Sequence, residues 1–221
     1  MKKSFDHYSK LAGLFPYPGP TFPQTAKQVQ VFLDQYYPAA GIELEIFTKF
    51  VSTASPTELE ELFNRTFEVQ ALTTLDLGYV LFGDDYKRGA VLVNLNREHR
   101  DAGIECQSEL ADHLPNILQL LSKMKKPELR AELVDKIVAP AVRKIIGEFS
   151  PEKLEMKNAI YKKHHRTLIE RSETYGMIYQ YPLKAVYQVL KEDFEVNEVE
   201  TPRQSAGFLK SVVSEMNIES P

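Results

Sequence analysis

Three side chains able to do chemistry crowd into one short stretch, "SELADHLP" at residues 108–115. They are Glu109, Asp112 and His113, with Cys106, the chain's single cysteine, just upstream. A metal site, a nucleophile with its base, and a helix start would each use these residue types. Two ligands on one helix face need i, i+3 or i, i+4 spacing. Glu109 and His113 satisfy this, but Pro115 argues against one helix carrying both. The chain contains no HExxH and no ExxH, the motif that brings histidine into di-iron bundles. His164 and His165 are adjacent and diverge by about 100° on a helix, so they do not readily share one ion. Cys106 lacks a partner at fixed spacing, and a lone cysteine reads as a small apolar residue. Neither GxSxG, GxxxxGK[ST] nor GxGxxG occurs. Asp112 and His113 are neighbours whose side chains diverge, a poor way to orient an imidazole. No catalytic residue, metal or cofactor is therefore assigned. The plain reading is a helix start, with Asp112 as the cap and His113-Leu114-Pro115 as the first turn. A proline is harmless there because first-turn N–H groups lack intrahelical acceptors. Such a cap is worth about 1 kcal/mol. It leaves His113 unexplained.

The elements that must position these residues are helices. Phe5, Tyr8, Leu11 and Ala12 form one helical face, ended by "PYPGP" at 16–20. Val29, Phe32, Leu33 and Tyr36 mark a second helix, stopped by Pro38 and Gly41, and Leu44, Phe47 and Val51 a third. "SPTE" at 55–58 is a complete start signal, with Ser55 as cap, Pro56 first and Glu58 reaching back. The helix it opens buries Leu59, Leu62, Phe63 and Phe67. The apolar stretch before Gly83 reads as a short strand or a short helix. Asp84 caps the next helix, through Val91, Leu92 and Leu95, with Gly103 as a left-handed stop. Leu114, Ile117, Leu118 and Leu121 define another. Pro140 should kink the stretch from Pro127 to Ile146. "SPEK" at 150–153 opens a charged helix ending near Gly176, and Pro182 opens one reaching about Phe194. The expected fold is all-α, a single-domain multi-helix bundle over residues 1–194. Residues 195–221 form a polar connection and an amphipathic tail helix with Phe208, Leu209, Val212, Val213 and Met216.

Bulk properties narrow the function. With 221 residues, 43% hydrophobic and 26% charged, the composition is that of an ordinary globular chain. A net charge of −4 disfavours a nucleic-acid binder. "KKHHR" at 162–166 shares its helix with Glu152, Glu155, Glu170 and Glu173, and reads as a solvated mixed-charge face. One cysteine makes no internal disulfide and asks for no oxidising compartment. Asp6, His7 and Lys10 interrupt what a secretory leader would need as an apolar run. No stretch approaches the roughly 18 apolar residues that span a bilayer. The expected location is the cytoplasm.

Residues 59–121 carry a resemblance. Thr66-Phe67-Glu68 closes a Glu/Phe-rich helix, Gly83-Asp84 pairs with Arg88-Gly89, Ala102-Gly103 ends the next helix, and Glu109 to Pro115 reads E-L-x-D-H-L-P. In that order and spacing they resemble the redox-enzyme maturation chaperones. More narrowly, they resemble the delta-subunit (NarJ-type) chaperones of respiratory nitrate reductase, relatives of the TorD and DmsD chaperones. "LAGLFPYP" at 11–18 is similar to the opening of that family, and the likeness spans residues 5–145. Ala111 departs from it, standing where the family often has proline.

The resemblance implies an all-helical chaperone without catalytic activity. It would bind the N-terminal segment of a molybdenum-enzyme catalytic subunit, nitrate reductase-like, and support its folding and molybdenum cofactor insertion. Asp112 and His113 lie in the region implicated in peptide recognition, with Asp84, Arg88 and Pro115 in the accompanying motifs. An amphipathic client segment would lay its apolar face between helices. Tyr79, Leu81 and Phe82 are candidate floor residues, Glu109 and Asp112 candidate acceptors for basic side chains on the rim. His113 is expected to act as a protonation-sensitive hydrogen-bonding group. The expected partner is that peptide, with no nucleic acid and no membrane insertion, and the chain a monomer or weak homodimer. Two rivals stand beside this reading. One is a small helical metal-dependent hydrolase using Asp112 and His113. The other is a helical regulator binding DNA.

Overall fold

The computed structural model describes residues 4–69, 71–106, 108–153, 155 and 175–196. Among them every extended regular element is a helix, so the fold is all-α as the apolar spacing requires. The first helix, α1 (His7–Ala12), is followed by a hairpin of α2 (Phe22–Tyr36) and α3 (Pro38–Thr53). The second helix ends just before Pro38, as expected, but Gly41 is no stop and lies inside α3. Tyr37 alone joins the two helices, and Pro38 opens α3, where a missing N–H costs nothing. α4 (Pro56–Phe63) starts on the expected capping box. The Glu58 N–H donates to Ser55 Oγ at 3.3 Å, and the Ser55 N–H donates to the Glu58 carboxylate at 2.8 Å. It runs on into a π-helical turn at Asn64–Glu68, where the Thr66 hydroxyl donates to the Leu62 carbonyl.

Next come α5 (Leu77–Phe82), α6 (Tyr86–Ala102) and α7 (Leu114–Lys123). The stretch before Gly83 is thus a short helix. α6 is capped by Asp85 and not by Asp84: Asp85 Oδ1 accepts the Lys87 N–H at 2.9 Å. Gly103 ends α6 at φ +69, the left-handed geometry expected of it. Along α7, Leu114, Ile117, Leu118 and Leu121 are fully buried, each contributing roughly 1.5–3 kcal/mol of transfer free energy. α8 (Pro127–Leu133) widens into a second π turn at Val134–Val138 before α9 (Ala139–Ile146). Pro140 lies just after that turn. An i→i+5 pattern there eases the clash that the ring would make with the carbonyl four residues back.

α10 (Gln180–Asp193) begins two residues before Pro182, ends just before Phe194 as expected, and packs along α3 and α9. At one end the buried Tyr179 meets Phe63 and Phe67 edge to face. At the other, the buried Asp193 carboxylate sits 2.6 Å from His7 Nε2 and accepts the Tyr37 hydroxyl at 3.0 Å, joining α1 and the α2–α3 turn to α10. α1 lies on α7, α5 on α6 and α9, and α6 on α7. No described helix is long and apolar enough to cross a membrane. The Lys153 N–H donates to Ser150 Oγ, as the "SPEK" start predicts. The rest of that helix up to residue 174, with "KKHHR", and the tail helix at 208–216 lie outside the described residues.

Candidate functional site

The segment before α5 and the segment before α7 meet as an isolated antiparallel bridge between Asp76 and His113. The Leu77 N–H donates to the Asp112 carbonyl and the Leu114 N–H to the Leu75 carbonyl, both at 2.9 Å. This makes Asp76 and His113 the non-hydrogen-bonded pair, whose side chains approach most closely. Accordingly, Asp76 Oδ1 lies 3.0 Å from His113 Nδ1.

Arg88, reaching in from the first turn of α6, links the two acidic residues. Its Nη2 donates to Asp76 Oδ2 at 2.9 Å; its Nε donates to Asp112 Oδ2 at 3.0 Å and Nη2 to Asp112 Oδ1 at 3.4 Å. Asp112 is 0% exposed. A buried carboxylate is tolerated only with such a partner, and the guanidinium fork supplies it. The hydrogen bond from His113 holds the Asp76 carboxyl below the usual carboxylate range; burial opposes this, and Arg88 adds to it. The Arg88 guanidinium also lies 5.3 Å from the centre of the Tyr79 ring.

Packing is close enough that Gly78 has no room for a side chain. A Cβ there would stand 2.6 Å from Asp112 Oδ2 and 3.2 Å from Arg88 Cγ. His99, buried beneath, lies with Nε2 3.3 Å from the carbonyl of Ala111, and burial pushes its pKa below the ordinary imidazole value. Ala111 itself is buried, and the turn before Asp112 closes with the His113 N–H donating to the Leu110 carbonyl.

The structure thus gathers Tyr79, Arg88, Glu109, Asp112 and His113 of the expected residues. Glu109 is 58% exposed, with its carboxylate 4.0 Å from His113 Nδ1. Tyr79 is 43% exposed, whereas Leu81 and Phe82 are half-buried against the core. Pro115 sits in the first turn of α7. Asp84 lies in the α5–α6 turn and makes no hydrogen bond or ion pair to this group among the described residues. Two expectations for Asp112 are corrected. It does not cap α7, whose N-cap is His113 without a side-chain hydrogen bond. Nor is it an acceptor on the rim, because its carboxylate is sealed and taken by Arg88. The reason is energetic: a cap is worth about 1 kcal/mol, whereas a buried carboxylate without its cation costs about 3–5 kcal/mol. Sequence reasoning missed Asp76 and Gly78. An aspartate before a helix reads as a cap, yet Asp76 makes no cap hydrogen bond. Its partner His113 and the neighbouring glycine were the available signals. Leu110, 50% exposed, was missed as an apolar surface residue beside the site.

Among the described residues no group of three or more His, Cys, Asp or Glu side chains is arranged to hold a metal ion. Asp112 turns towards Arg88 while the neighbouring His113 turns to Asp76, so the pair named in the hydrolase reading does not act together. The Cys106 thiol is half-buried and its pKa is pushed up by burial, which works against the thiolate form.

Fold and site together define a helical protein in which, among the described residues, a braced and largely buried histidine stands where two segments meet. No protein-family model matches the chain. The chain is similar to the nitrate reductase molybdenum cofactor assembly chaperone NarJ of Escherichia coli strain K12, with 30% identity over 98 residues. The match covers 44% of this chain and 41% of that protein. The NarJ chaperone of Escherichia coli O157:H7 matches to the same extent. The chain therefore aligns with about two fifths of the length of these curated relatives.

Proposed function

We propose that this protein is a cytoplasmic maturation chaperone for a molybdenum-dependent oxidoreductase of the nitrate reductase kind. It binds the N-terminal segment of the catalytic subunit and supports folding and molybdenum cofactor insertion without performing chemistry itself. The observation that carries this reading is the similarity to a molybdenum cofactor assembly chaperone. The bridge between residues 75–77 and 112–114 supports it, because it presents a fixed polar group beside exposed apolar side chains.

The client segment meets Tyr79 and Leu110 through apolar contact, and His113 and Glu109 through hydrogen bonds. Leu81 and Phe82 support this surface from the core side, and Pro115 fixes the start of α7 beside it. Arg88 and Asp112 act underneath, holding the bridge in shape. A chaperone has to release its client, so an affinity near micromolar, roughly −8 kcal/mol, suits the task. Calorimetric titration with a peptide copying the N-terminal segment of a nitrate reductase catalytic subunit tests the proposal. His113→Ala is expected to weaken binding at least tenfold while the far-UV circular dichroism stays unchanged. Equal affinity of the variant and the wild type would remove His113 from the binding surface.

A further inference from the structure

We infer that Asp76 is the positioning residue of this surface: it holds His113 as the Nδ1–H tautomer, so that Nε2 is presented outward as an acceptor for an N–H donor of the client segment. The inference rests on the chaperone reading for its client and on the geometry alone for its tautomer. A carboxylate has no proton to give, so the 3.0 Å contact between Asp76 Oδ1 and His113 Nδ1 requires the proton to sit on the imidazole nitrogen. Asp76 cannot turn away, because its other oxygen accepts Arg88 Nη2 at 2.9 Å and its backbone is pinned by the bridge. The imidazole side chain is 16% exposed, and Nε2 has no protein partner among the described residues. In the neutral ring that nitrogen carries a lone pair.

The ligand class follows. A backbone amide, a guanidinium or an ammonium group can donate to Nε2, whereas a carboxylate cannot. Glu109, exposed and 4.0 Å from Nδ1, adds negative charge on the same side and favours a cationic donor. Asp112, although next in sequence, contributes nothing to the tautomer because both its oxygens face Arg88.

An isosteric change separates these roles. In Asp76→Asn the amide oxygen must turn to Arg88, which only donates, and the NH2 group then faces His113. Nδ1 becomes the acceptor and the proton moves to Nε2, inverting what the surface offers. Long-range proton–nitrogen NMR spectra of the histidine-labelled full chain, recorded at a pH where the nitrogen shifts themselves report a neutral ring, read this directly. The wild type and Asp112→Asn are expected to show Nδ1–H, and Asp76→Asn to show Nε2–H. The same peptide, titrated calorimetrically, is expected to bind Asp76→Asn at least tenfold more weakly than the wild type. Nε2–H in the wild type, or an unchanged tautomer in Asp76→Asn, would overturn the positioning role. An inverted tautomer with unchanged affinity would overturn the acceptor role. A wild type that shows Nδ1–H but does not bind the peptide would sink the chaperone reading and leave the tautomer assignment standing.

Discussion

Arg88→Met is the perturbation whose size follows most directly from the geometry. The methionine keeps most of the aliphatic stem and removes the cation that pairs with the Asp112 carboxylate. Asp112 is fully buried, so the stranded charge has no water to turn to, and removing one partner of such a pair costs about 3–5 kcal/mol. Asp76 loses the same cation but is partly exposed and keeps His113, which adds at most about 1 kcal/mol. For a chain of this size each kcal/mol shifts the midpoint by roughly 2–4 °C, so the expected loss is roughly 6–24 °C. Adding Asp112→Asn removes the stranded charge and leaves an imperfectly paired amide, which costs only about 1–3 kcal/mol. The double variant is therefore expected to be more stable than the single one. Urea unfolding followed by far-UV circular dichroism, with a thermal melt alongside, measures both. A single variant within about 1 kcal/mol of the wild type would mean that the pair behaves like an exposed one. A double variant less stable than the single would show that Asp112 is not the stranded group.

Gly78→Ala is expected to lower the melting temperature, although alanine favours a helix by about 1 kcal/mol. The new methyl group meets Asp112 Oδ2 at 2.6 Å, and overpacking of this kind costs about 1–3 kcal/mol; a raised midpoint would contradict it. Acid should unfold the chain partly through Asp76. Its folded-state pKa is depressed, so the stability it contributes is present above the ordinary value of 3.8 and lost as pH falls through the lower folded value. Urea midpoints of the wild type and Asp76→Asn should converge as the pH drops through that window, and a constant difference would refute the assignment. His99 adds a dependence of the same sign. Its folded pKa lies below the ordinary 6.5, so stability is highest above 6.5 and declines as pH falls below it, because the unfolded chain takes up the proton first. In His99→Gln that decline should be reduced, which the same urea series checks.

Much of the scaffold was legible because its signals are local. The Ser55–Glu58 box, the apolar set of α7 and the stop at Gly103 each depend on residues within a few positions, and each stands where its pattern places it. Misreadings arose where one residue type serves two purposes. Pro38 both ends one helix and opens the next, with only Tyr37, outside helical geometry, between them. Asp84 and Asp85 are equivalent as caps until Gly83, at φ +64, sets the length of the turn. Glu109, Asp112 and His113 were visible as a group, but their partners were not. Asp112 meets Arg88 across 24 residues and His113 meets Asp76 across 37, and no pattern within one segment announces either pairing. The bridge, with Arg88 spanning it, brings those segments together.

Amide hydrogen exchange of the full chain, with and without the N-terminal peptide of a nitrate reductase catalytic subunit, tests the central claim most directly. Peptide capture by the braced histidine surface predicts slowed exchange in the described amides of residues 77–88 and 109–114, with α2 and α3 unaffected. Protection confined to other helices, or none at saturating peptide, would contradict it.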